Sequence, residues 1–145
     1  MTNQSRESKY RSPTDLHNQG WEGQGFNWEH PWTPKKKRLA LESLKELGQP
    51  ETVRILDYGC GDAVMVQAFH DAGYQVEGTD ISEVVINSNK EKLPHLNFKL
   101  TSPDSLAPYS DGSFDAIFCS EVIEHLYDVN FVFSDFNRLY GPAAS

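Results

Sequence analysis

The stretch Val53 to Val64, VRILDYGCGDAV, constrains the fold more than any other part of the chain. Val53, Ile55 and Leu56 form a short apolar run of the kind that builds a strand buried on both faces in a parallel sheet, and the run ends at an acid, Asp57. Two glycines follow, one residue apart. Gly59 and Gly61 permit a tight turn that brings bare backbone close to a ligand, and Asp62 and Ala63 then open a helix whose unbonded N–H groups point back at the same place. Strand, glycine turn and helix predict a nucleotide-type cradle.

The next position separates two readers of such a turn. A dinucleotide pattern, G-x-G-x-x-G, requires glycine at position 64, where helix and strand pack closest, and Val64 stands there. Downstream, Ala63 to Ala72 reads as a helix with Val66 and Phe69 inward, stopped by Gly73 as a left-handed cap. Tyr74 to Thr79 reads as a second strand that delivers Asp80 at its carboxyl end, about 20 residues beyond the glycines, where a carboxylate in a doubly wound sheet accepts from both hydroxyls of a ribose. Ser82 and Glu83 leave a second role open for Asp80, as an acid at a helix start. Val84, Val85 and Ile86 begin a helix that ends before Pro94, and Leu96, Phe98 and Leu100 alternate as a half-exposed third strand suited to a sheet edge. DGSFD, Asp111 to Asp115, is a turn feeding a fourth strand, Ala116 to Cys119, whose apolar composition suggests a central position. A last amphipathic helix carries Phe131, Val132, Asp135, Phe136 and Leu139 and ends at Tyr140, Gly141 and Pro142.

Two segments resemble one known family. The pattern D-x-G-C-G-x-(G/A), read at Asp57, Gly59, Cys60, Gly61 and Ala63, is similar to the first motif of the class I S-adenosylmethionine-dependent methyltransferases, and DGSFDAIFCSEVIEHL resembles a later segment of the same family, especially of members acting on small metabolites, quinone precursors and sugars. With Asp80 between them, the resemblance spans about Val53 to Tyr140. It implies an α/β, Rossmann-like doubly wound sheet with helices on both faces and strand order 3-2-1-4. It implies S-adenosylmethionine as cofactor, and methyl transfer to an oxygen, nitrogen or carbon of a small-molecule acceptor.

The resemblance also assigns residues. Asp57, Gly59, Cys60, Gly61, Asp80, Ile81 and Ser120 fall at cofactor-binding positions, and Asp104, with Ser102 in reserve, is the candidate partner of the adenine amine. Methyl transfer from a sulfonium needs alignment more than acid catalysis, but an oxygen or nitrogen acceptor can require a base, for which His125 and Glu121 are the candidates. A packing or capping role for His125 and a solvated role for Glu124 stay open beside this. If the segment is helical, Glu121, Glu124 and His125 share one face and suit a divalent metal, and the E-x-x-E-H pattern resembles the metal ligands of small-RNA 2′-O-methyltransferases and of some quinone O-methyltransferases; those RNA enzymes need a further histidine, none follows His125, and many relatives carrying EVIEHL use no metal. The leading expectation is therefore no metal. Family members continue through a fifth strand and two more, and none of these follows Tyr140. The expectations are a domain whose strands 5 to 7 are absent, a cofactor-binding but catalytically incompetent module as the alternative to an active enzyme, and an open edge at the fourth strand through which the chain can form an oligomer.

The rest of the chain adds less. Residues 1–18 are polar and without apolar periodicity and read as a disordered tail. Residues 19–34 crowd Trp21, Phe26, Trp28, His30 and Trp32 among glycines and prolines, which fits either a segment wrapped over the core or a lid over the site. Residues 35–145 form the domain proper. Its basic run, Lys35 to Arg38, opens a helix with Leu39, Ala40, Leu44 and Leu47 on one side, and reads as a solvated face or an anion contact. A net charge of -8 argues against a nucleic-acid partner. Two cysteines at unpaired spacing, no charged-then-apolar leader and no apolar stretch near the roughly 20 residues of a membrane span predict a soluble, cytoplasmic protein without a membrane partner.

Overall fold

Arg54 to Tyr58 extends as strand β1, buried along nearly its whole length, because both faces of this strand are covered by helices or loops. The computed structural model describes residues 31–141, and the expectations for the polar tail and most of the aromatic segment lie outside them. In chain order the further elements are helix α1 (Thr33–Leu44), which precedes β1, then α2 (Val64–Asp71), β2 (Gln75–Asp80), α3 (Glu83–Lys92), β3 (Asn97–Leu100), β4 (Ala116–Phe118) and α4 (Val129–Leu139). The four strands pair in the order β3-β2-β1-β4, and every pairing is parallel. This is the expected doubly wound arrangement. Ile55 lies opposite Val76 and Ala116, and Asp57 opposite Gly78 and Phe118, so the carboxyl ends of β1, β2 and β4 meet on one side of the sheet.

Alternation along β1 divides the core. Ile55 faces one layer with Val66 and Phe69 of α2, Ile86 of α3 and Leu44 of α1, while Leu56 and Tyr58 face the other with Val132 and Leu139 of α4 and the connecting residues Ala107 and Phe114. Phe69 is fully buried and packs edge-on against Phe118 with ring centroids 5.4 Å apart. Burying one such side chain contributes about 2–3 kcal/mol. β4 is an end strand among the described residues, and its three residues, all half-buried, pack on both faces. One expectation about faces is corrected. In α1 the inward positions are Ala40, Leu41 and Leu44, whereas Leu39 lies on the exposed face of the helix and Leu47 is exposed in the 3-10 turn that follows its end at Leu44.

Helix boundaries follow local chemistry. Ser82 caps α3 by accepting the N–H of Val85 at 3.2 Å, and Asp128 caps α4 by accepting that of Phe131 at 2.9 Å. Gly73 closes α2 at φ 94, as its position predicts. Helix α2 opens one residue later than the pattern suggested, because Ala63 is itself left-handed at φ 66 and cannot belong to the helix. An arginine at each end of the sheet's loops completes the frame. Arg54 makes a two-pronged pair with Asp115, at 2.9 and 3.0 Å, and Arg138 donates to the Tyr109 and Ala107 carbonyls at 2.6 and 3.0 Å while pairing with buried Asp135. The loop from Thr101 to Asp111 is thereby tied to α4.

Candidate functional site

The glycine turn leaves β1 with Gly59 at φ 80 and Gly61 at φ 52, a region in which a side chain is strained. Gly59 has a second reason to be glycine: a Cβ there would overlap the Cγ2 of Val122. The amides of the turn itself are taken within the chain. The Thr79 carbonyl accepts from both Gly59 and Cys60 at 2.8 Å, Asp80 Oδ2 accepts from Gly61 at 3.0 Å, and the Cys60 carbonyl accepts from Ala63 at 3.0 Å. Asp62 Oδ1 takes the N–H of Val64 at 3.4 Å. The turn is anchored to the end of β2 rather than held open for an anion.

Carboxylates dominate what surrounds it. Asp57 is 2% exposed, and burial, reinforced by Asp80 and Asp62 and opposed by Lys36, pushes its carboxyl up to about 8. Burial also raises Asp62. Asp80, 3% exposed, accepts from Gly61 through one oxygen and from Ser82 N–H at 2.9 Å through the other. It thus serves the helix entry and the glycine turn together. Cys60 points its thiol into the core beside Gly78, and burial foremost raises it far above its usual range. Only the backbone of Cys60 belongs to the rim. Ile81 follows Asp80, half-buried, at the start of the next loop.

The segment after β4 is not the helix on which a metal face depends. Ser120 is half-buried in a loop, Glu121 is left-handed at φ 60, and only Ile123–His125 form a 3-10 turn. Glu121, Glu124 and His125 therefore share no helical face, and among the described residues no group of three His, Cys, Asp or Glu is placed to hold a metal ion. His125 and Glu124 are exposed neighbours, Nε2 to Oε1 3.9 Å. Glu121 is paired across the mouth with Lys36 at 3.3 Å. Asp104 is exposed and donates its backbone N–H to Ser102 Oγ at 3.3 Å, so those two candidates make one small turn.

Three residues of the site escaped the sequence reading. Asn89 is 1% exposed and donates from Nδ2 to the Gly61 carbonyl at 2.7 Å, holding the turn from below. Its signal was available: it continues the inward stripe of Val85 and Ile86, where a polar side chain needs a partner. Gly78 sits where a Cβ would meet Phe98 at 2.9 Å and Cys60 Sγ at 3.0 Å, and a glycine inside a strand is itself a signal of close approach. Lys36 carried no comparable signal, because its partner lies 85 positions away.

Comparison with known proteins accords with this geometry. A ubiquinone biosynthesis O-methyltransferase of Albidiferax ferrireducens is 29% identical over 121 residues, 79% of this chain and 46% of that protein. The chain spans about half the length of the curated relatives it matches. Among solved structures, an S-adenosylmethionine-dependent methyltransferase from Mesorhizobium loti superimposes with a TM-score of 0.62 at 22% identity, over 81% of this chain and 52% of that one. The cyclase SpnF does so with the same TM-score at 21% identity, over 83% and 46%, so the shared fold does not by itself assign a reaction. The model of the methyltransferase domain, however, matches residues 56–144, from the strand before the glycine turn to beyond α4; the chain belongs to the methyltransferase-domain family.

Proposed function

We propose that this chain provides the cofactor-binding half of an S-adenosylmethionine-dependent methyltransferase acting on an oxygen of a small molecule. One observation carries the reading: the turn spends its amides inward and surrounds itself with Asp57, Asp62 and Asp80. A pyrophosphate needs the reverse, free N–H groups and positive charge. S-adenosylmethionine carries a sulfonium and an ammonium, both cationic, and two ribose hydroxyl donors, which carboxylates accept. The O-methyltransferase activity named for the relatives supports oxygen as the acceptor atom.

In this reading the carboxylate of Asp80 accepts from the ribose hydroxyls, Ile81 flanks the base, and Asp104 meets the adenine amine. Gly59, Cys60 and Gly61 admit the amino-acid end past their backbone, near Asp57, and Ser120 closes the site from β4. When bound, the cofactor supplies a methyl group on an already activated leaving group, so the chain's own work is alignment and exclusion of water. A hydroxyl acceptor needs its proton removed, and His125, exposed beside Glu124, is the candidate base over Glu121, whose carboxylate Lys36 holds.

Calorimetric titration with S-adenosylmethionine, S-adenosylhomocysteine and reduced nicotinamide dinucleotide tests the reading, followed by transfer of labelled methyl to small phenols. Binding of the two adenosyl ligands but not the dinucleotide, with transfer, is the expected result. Binding without transfer to any acceptor favours the second reading, a cofactor-binding module without turnover. A folded chain that binds neither adenosyl ligand refutes both.

A further inference from the structure

Among the described residues only two non-glycine residues have positive φ, Ala63 and Glu121, and both lie at the glycine turn or facing it. A left-handed backbone with a side chain persists only where surroundings over-determine it. Two contacts hold Glu121. Its neighbour Val122 is seated against Gly59, and its carboxylate accepts from Lys36 Nζ at 3.3 Å, joining the first turns of α1 to the loop that leaves β4. The Lys36 charge also reaches Asp57 and Asp62. One ammonium therefore stands between the acidic floor of the cradle and the carboxylate at its rim.

We propose that Lys36 and Glu121 form a latch across the mouth of the cradle, closed while α1 is held to the loop after β4 and opened each time a ligand enters or leaves. The pair is built to break and remake. Its side chains are 28% and 69% exposed, and an ion pair so hydrated is weak. The left-handed backbone of Glu121 adds a bias toward opening, since release of the carboxylate lets the loop relax. The role rests on reading the cradle as the cofactor site only for the identity of the ligand. The motion itself belongs to the chain.

The test uses the full chain and the variants Glu121→Gln, Lys36→Met and the swapped pair Lys36→Glu with Glu121→Lys. Amide hydrogen exchange without ligand reads the motion. In each single variant the amides of α1 from Lys36 onward exchange about threefold faster, those of α2 are unchanged, and the swapped pair returns toward the parent. S-adenosylhomocysteine is the ligand probe: its association and dissociation both quicken in the single variants, and Kd stays within about twofold. Unchanged exchange in α1 of both single variants overturns the latch whether or not the probe binds. So does a probe whose Kd rises through dissociation alone, because the side chains would then be gripping the ligand. Faster α1 exchange in a chain that does not bind the probe supports the latch and sinks the cofactor reading instead.

Discussion

Asp80 Oδ2 accepts the backbone N–H of Gly61 at 3.0 Å, which ties the end of β2 to the centre of the glycine turn. The same carboxylate takes the Ser82 N–H at 2.9 Å, so one side chain fixes the entrance to α3 and the floor of the site. Replacing Asp80 by Ala removes this acceptor from the buried Ser82 N–H and the half-buried Gly61 N–H and is expected to cost about 3 kcal/mol in urea unfolding. Asp80→Asn keeps one acceptor and should lose roughly half as much. On the proposed role of Asp80 as acceptor for the ribose hydroxyls, both variants are expected in calorimetry to bind S-adenosylhomocysteine at least about tenfold more weakly.

Gly59 is excluded from substitution for two separable reasons, its φ of 80 and the Val122 methyl above it. Gly59→Ala is expected to destabilise the chain by about 2–4 kcal/mol. Adding Val122→Ala should recover the steric share and leave the strain, so the double variant should be more stable than the sum of the two single losses predicts. Simple additivity in urea denaturation would show that the two residues do not meet.

Ala63 is left-handed at φ 66 where glycine would be unstrained. Ala63→Gly is expected to stabilise the chain by about 0.5–1 kcal/mol, with the relief of the backbone outweighing the added freedom of the unfolded chain. A lowered urea midpoint would mean that its methyl, 1% exposed in the core, matters more than its backbone.

Burial of Asp57 makes stability depend on pH. Its folded value of about 8 lies above the 3.8 of an ordinary carboxyl, so the folded state binds more protons than the unfolded one between those limits. The contribution is complete below about pH 4 and is lost as pH rises through about 8. Asp57→Asn should therefore flatten the decline of urea stability over that interval. A parent whose stability rises from pH 5 to 8, unaltered by Asp57→Asn, would contradict the burial. A cationic ligand beside Asp57 favours its ionised form, so S-adenosylmethionine binding at pH 7 should release a proton, seen as a buffer-dependent enthalpy.

Much of the architecture was legible because its causes are local. Val53, Ile55 and Leu56 announce a strand buried on both faces, Gly73 stops a helix, and Ser82 caps one, each through short-range sterics or hydrogen bonding. Where periodicity was extrapolated through a break it misled. Leu47 fits the helical count but lies past the end of α1, and Glu121, Glu124 and His125 fit a helical face that the left-handed Glu121 forbids.

By itself, then, the sequence determined the succession of strands and helices, the place of the glycine turn and the acids that line it, because spacing and residue type act over a few positions. Only the tertiary structure decided how those groups are used. Packing β1 against β2 directs the turn's amides onto Thr79 and Asp80 instead of toward a ligand, and α3 brings Asn89 under Gly61. Lys36 reaches Glu121 only because α1 and the end of β4 converge at one mouth of the sheet. Such pairings arise between residues tens of positions apart, and no local rule of spacing specifies them.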